Sequence, residues 1–161
     1  MTLFPAFSRC CSSLVVSILC ISIGAACAFA NTGKKMVVMP VEDATFVPVD
    51  PTRPDGAQIA VLRGDPAKGP SAMLMKFKKA TGVLHVHSSD YHLVLLQGTM
   101  KHRAEGESEA KVKPLGPGSY WFQPGGQAHA DSCLSDECLM FINWAGKRDA
   151  RAVTEARPRA R

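Results

Sequence analysis

From Ala57 onward, short apolar runs alternate with Gly, Pro and Asp punctuation. Ile59-Ala60-Val61-Leu62 is followed by Gly64-Asp65-Pro66 and then by Ala72-Met73-Leu74-Met75-Lys76-Phe77. Further strand-like runs are Val83 to His87, His92 to Leu96, Met100 to Arg103, Lys111-Val112-Lys113, Tyr120-Trp121-Phe122 and Leu139 to Trp144. Breaks fall at Gly98, Gly106, Gly116-Pro117-Gly118 and Pro124-Gly125-Gly126, where Gly and Pro favour turns. Many short strands joined by regular turns predict an all-β, antiparallel sandwich or barrel. Leu93-Val94-Leu95-Leu96 is apolar on both parities, which predicts a strand covered on both faces. Residues 31 to 56 hold Pro40, Pro48, Pro51 and Pro54, so the extended pieces Met36 to Met39 and Thr45 to Val47 read as an N-terminal arm of edge strand and loop.

The first thirty residues follow a different pattern. Arg9 precedes an apolar run from Leu14 to about Ile23, and Ala28-Phe29-Ala30 offers a small-x-small cleavage site. That order is a secretory signal peptide, so the chain is expected to be secreted or periplasmic after cleavage behind Ala30. An uncleaved anchor fits less well, because the run is shorter than the ~20 residues of a spanning helix. A lipid-modified Cys27 fits less well again, since Gly24 stands where such a signal usually carries Leu or Val. A 30-residue leader leaves 131 of the 161 residues, enough for one domain. The reading divides the chain into a leader at 1–30, an arm at 31–56, a barrel at 57–146 and a basic flexible tail at 147–161.

Losing Arg9 lowers the formal charge from +5 to +4. Arg148, Arg151, Arg157, Arg159 and Arg161 crowd the end of the chain beside Pro158 and several alanines, a solvated tail rather than a nucleic-acid footprint. Cys10, Cys11, Cys20 and Cys27 depart with the leader. Cys133 and Cys138 remain, in a compartment where disulfides persist, and four residues between them suit a hairpin tip closed by a disulfide.

The chemistry concentrates in the histidines. In Gly82-Val83-Leu84-His85-Val86-His87-Ser88-Ser89-Asp90-Tyr91-His92, a strand would point His85 and His87 to one face a few ångströms apart. On a helix the two would diverge by roughly 200° and could not share an ion. The second stretch runs from Gly118 through the turn Pro124-Gly125-Gly126 to His129. His102 reads as an ordinary exposed histidine on a charged strand, and Met73, Met75, Phe77, Trp121 and Trp144 as core or pocket lining.

These two stretches resemble the paired motifs of the cupin superfamily. The first motif is Gly, five residues, His-x-His, three or four residues, Glu, six residues, Gly. His85, His87 and Gly98 match it, with Gly82 closer than usual. The second is Gly, five residues, Pro-x-Gly, two residues, His, three residues, Asn. Gly118, Pro124, Gly126 and His129 match with every spacing intact, and Cys133 stands in place of the Asn. The resemblance covers about residues 57 to 145. It implies a small antiparallel jelly-roll barrel around one divalent metal, with His85, His87 and His129 as ligands. Pairing into a homodimer through edge strands is a further implication.

The glutamate slot is the departure. Counting from Gly98 places Tyr91 there, and counting from His87 places His92 there. His92 is preferred, because neutral imidazole binds without ionising a phenol of pKa ~10. Asp90 would then orient a ligand from behind, while an open position for water is the remaining arrangement. A site of imidazoles alone keeps the full charge of the ion, favours Zn, Fe, Ni or Cu over Mn, and attracts anions. The expected function is a metal-binding barrel for a small, anionic ligand. The alternatives are a metal-dependent dioxygenase or isomerase acting on a small organic acid, and a structural metal in a dimeric binding module.

Overall fold

A computed structural model describes residues 35–153. The leader and residues 154–161 therefore lie outside the described residues. A 3₁₀ turn at Val41–Asp43 precedes nine strands: β1 (Val47–Pro48), β2 (Gln58–Gly64), β3 (Ser71–Ala80), β4 (His85–Val86), β5 (Tyr91–Gln97), β6 (Met100–Ala104), β7 (Tyr120–Gln123), β8 (His129–Trp144) and β9 (Arg151–Ala152). Every pairing is antiparallel. No helix among the described residues is long and apolar enough to cross a membrane.

The sheet is organised around β8, which pairs with β3, β4, β5 and β6. Its C-terminal half lies between β3 and β5, and its N-terminal half meets β6 and β4. Residues directly opposite share a face, so Met75, Met140 and Leu95 line up, as do Met73, Ile142 and Leu93. With Met100, Cys133, Cys138, Trp121 and Trp144 they form the core. Alternation along β7 buries Trp121 and Gln123 and exposes Tyr120 and Phe122.

Along β8, His129, Asp131 and Cys133 face the histidine cluster and core in the first half, and the even-numbered residues do so from Cys138 on. The change occurs at Leu134 to Glu137, opposite a register shift between Lys78 and Ala80 on β3. A bulge of this kind re-aims side chains. The expected disulfide joins Cys133 and Cys138, with Cα atoms 6.0 Å apart, and so closes this bulge. It does not close a hairpin tip, because β8 continues through both cysteines.

Several expectations change. Lys111 and Val112 lie in a turn, and it is Leu115 that bridges to Met100. Met36 to Met39 form no strand. Leu93 and Leu95 are buried while Leu96 is exposed, so β5 is covered on one face only. Residues 147–153 are not a free tail, since β9 pairs with β4.

Candidate metal centre

His85 on β4 and His87 just after it bring their ring centres to 4.8 Å, and His85 lies directly opposite His129 at the start of β8. The three rings offer ligand atoms that all lie within 4.8 Å of one another. Two local features allow this approach. Gly82 packs on the backbone of Asp131, where a Cβ would come within 2.4 Å of the carbonyl oxygen. Gly126, at φ 78°, turns the chain into β8 while its N–H donates to the His87 carbonyl.

All three rings are oriented in the same way. The Nδ1–H of His85 donates to the Val83 carbonyl at 2.8 Å and that of His129 to the Gln127 carbonyl at 3.1 Å. His87 Nδ1 donates to the carbonyl of Asp149. A ring with its proton on Nδ1 keeps a lone pair on Nε2, and this backing by a carbonyl is the usual support of a metal-bound imidazole. Burial pushes the His87 imidazole below its ordinary pKa and drives His129 down to about 4, despite the nearby Asp131 carboxylate. The residues thus fit a transition metal, with His85, His87 and His129 as nitrogen donors.

His92 is not with them. Tyr91 and His92 point to opposite faces of β5, as neighbours on a strand must. Tyr91 is 2% exposed, packs on Trp144, and brings its hydroxyl to 3.1 Å from His129 Nε2. His92 faces outward, stacks beside Phe122 across the β5–β7 pair, and bonds the Tyr120 hydroxyl at 2.8 Å. The choice of His92 for the fourth position is therefore corrected. Ring chemistry favoured it, but the large apolar phenol gains far more from the core, so strand parity places Tyr91 inward. Burial pushes the Tyr91 phenol well above its ordinary range, so it stays neutral. Asp90 holds the Gly125 N–H at 2.7 Å and so fixes the turn, not a ring.

Two residues were misjudged or missed. His102 is not an ordinary exposed histidine, because it shares the inward parity of Met100 on β6 and lies opposite Asp131. Its Nδ1 is 2.7 Å from Asp131 Oδ1, its Nε2 is 3.1 Å from Gln123 Oε1, and its ring stacks on Trp121. Asp131 went unremarked, yet its Oδ2 lies 3.8 Å from His85 Nε2 and 3.7 Å from His129 Nε2. Burial favours the neutral acid there, but the His102 hydrogen bond and the surrounding histidines outweigh it and hold the carboxyl below its ordinary pKa. A signal was present in the sequence: position 131 shares the parity of His129.

The cluster opens into a cavity of about 510 Å³. Met75, Phe77, Leu93, Met140, Ile142 and Trp144 supply apolar walls, and Arg53, Lys78, Lys79 and Arg148 bring positive charge. Lys78 is paired with Asp55 and Arg53 with Asp50. Arg148 is half-buried and forms no ion pair among the described residues.

This curled antiparallel sheet has the cupin fold. Solved structures of the same fold include KdgF from Halomonas sp. (TM-score 0.56, 23% identity, 71% of this chain and 97% of that one). An RmlC-like cupin from Shewanella frigidimarina aligns with TM-score 0.55 at 17% identity, over 71% of this chain and 95% of that one. The polyketide cyclase RemF from Streptomyces resistomycificus aligns with TM-score 0.57 at 15% identity, over 76% and 89%. Residues 29–147 match a domain of unknown function, DUF4437, and the chain belongs to that family. No curated protein matches it significantly.

Proposed function

We propose that this chain is a secreted metal-binding cupin that takes a small organic anion into its barrel, against a transition metal held by His85, His87 and His129. The convergence of three carbonyl-backed imidazoles within 4.8 Å at the end of the cavity carries this reading. Nitrogen donors favour Zn, Fe, Ni or Cu. Such an ion would supply a Lewis-acidic contact for a ligand oxygen. The apolar walls suit a carbon skeleton, and Arg148, without an ion pair among the described residues, suits a carboxylate. The Cys133–Cys138 disulfide supports an oxidising address.

The test is metal analysis of protein exported to an oxidising compartment, followed by calorimetric titration with benzoate and pyruvate in metal-loaded and stripped forms. One metal per chain and metal-dependent carboxylate binding are expected. Metal-free protein with no affinity for Zn, Fe, Ni or Cu would sink the reading.

A metal-dependent dioxygenase or isomerase acting on a small organic acid is the second reading, favoured by Tyr91. Its neutral hydroxyl faces the cluster 3.1 Å from His129 Nε2, placed to hold or give a proton to a molecule bound there. Turnover of a carboxylate that Tyr91→Phe abolishes without lowering metal content would establish it.

A further inference from the structure

We infer that Asp131 is a fourth protein ligand to the metal, presented by His102 from the strand opposite. The inference rests on the reading that the three imidazoles bind an ion.

The ring protons of His85 and His129 are on Nδ1, committed to the carbonyls of Val83 and Gln127. Both Nε2 atoms are therefore left facing the site. Asp131 Oδ2, a lone-pair donor, stands 3.8 and 3.7 Å from them. The Tyr91 hydroxyl reaches His129 Nε2 at 3.1 Å, whereas among the described residues no donor reaches between His85 Nε2 and Asp131 Oδ2, a contact that a cation would bridge. The side chain is only 17% exposed, so water screens the contact poorly.

Distances agree with that cation. Two donors about 2.1 Å from one ion stand roughly 3.0–3.6 Å apart at angles of 90–120°. Toward His85 and His129, Oδ2 stands only a few tenths of an ångström outside that range. The other oxygen, Oδ1, is already taken by His102 Nδ1 at 2.7 Å. The carboxylate is thus held by one oxygen with the second directed at the cluster.

A chain of contacts fixes this pose. Gln123 donates its amide N–H groups to the carbonyls of Pro124 and Gln127, each at 3.0 Å, which turns its Oε1 toward His102 Nε2. Both nitrogens of His102 thus face an oxygen, one of Asp131 and one of Gln123. Stacking on Trp121, with rings 4.9 Å apart and 22° from parallel, locks the ring plane. The same Pro-Gly-Gly turn therefore places His129 and, through Gln123 and His102, Asp131.

This assignment changes the donor set from three nitrogens to three nitrogens and an oxygen. It puts a carboxylate back into a site whose β5 slot carries Tyr91 in place of an acid. An oxygen donor widens the acceptable metals toward Fe(II) and Mn(II).

Co(II) is the probe, read by its visible d–d bands and by chelator competition, on wild type, His129→Ala and Asp131→Asn. Asn keeps an oxygen for His102 and nearly the same volume, so Oδ2 is the principal loss. We expect Asp131→Asn to weaken Co(II) roughly tenfold or more and to shift the bands, with an unchanged far-UV CD spectrum. Wild-type affinity and unchanged bands in Asp131→Asn overturn the inference alone, the metal reading standing if His129→Ala has lost the ion. Failure of the wild type itself to take up Co(II) overturns both. If Asp131→Asn does not fold, Asp131→Glu decides: a displaced carboxylate moves the bands if it is a ligand, and unmoved bands refute it.

Discussion

The two halves of β8 are built from one continuous strand yet face the interior with opposite kinds of side chain. From His129 to Asp131 the inward positions carry an imidazole and a carboxylate. From Cys138 to Trp144 they carry Cys138, Met140, Ile142 and Trp144, all 3% exposed or less. The apolar half stabilises the barrel by burial. The polar half makes burial costly, since each charged or lone-pair group must find a partner. Fold and site are thus separable along one strand, and the bulge between the cysteines keeps both halves facing inward despite their opposite numbering.

His129→Ala should affect the first half most, removing stoichiometric metal altogether while the thermal melt stays cooperative, as shown by metal analysis beside CD. Met140→Ala attacks the second half and should cost about 2–5 kcal/mol in urea unfolding, the usual range for a buried methionine. If Met140→Ala abolished metal binding in protein that was still folded, the two halves would not be separable.

The junction gives the next effect. Replacing Cys133 and Cys138 together by Ser releases a short loop, with cysteines five residues apart. The loss should be about 2 kcal/mol on the loop-entropy estimate, measured against wild type in urea without reductant. An unchanged midpoint would show that the bulge holds its own conformation.

Truncation after Gly146 should leave every core residue in place while removing Arg148 from the cavity and the orientation of one histidine of the cluster. His87 then loses the Asp149 carbonyl, and Ser88 loses the Asp149 carboxylate that binds its N–H at 2.8 Å and its hydroxyl at 2.7 Å. Metal affinity should fall roughly tenfold, in line with losing an orienting partner. The smallest effect belongs to His92→Ala, which should leave metal affinity unchanged in the same titration.

Strand content and the histidine triad were legible because period-2 alternation and the His-x-His and Pro-Gly-Gly spacings are local. His85 and His87 share a face whatever else the chain does. Parity at an uncertain strand start is not local. Whether Tyr91 or His92 turns inward is set by the fit of Tyr91 against Trp144, 53 residues later in sequence. His102 opposite Asp131 is likewise a fact of β6–β8 register, invisible until the strands are paired. The role of residues 147–153 was hidden by composition: arginines and alanines suggest a solvated tail, while backbone pairing with β4 needs no apolar side chains.

That pairing has a consequence in time. His87 and the carbonyl that orients its ring are 62 residues apart. At 5–20 residues per second of synthesis, about 3–12 s separate the making of the two. By the end of that interval His85, His87 and His129 have all been made, and until then the ring of His87 lacks the Asp149 carbonyl as acceptor for its Nδ1 proton. The finished orientation of the site therefore waits on one of the last described segments to be made.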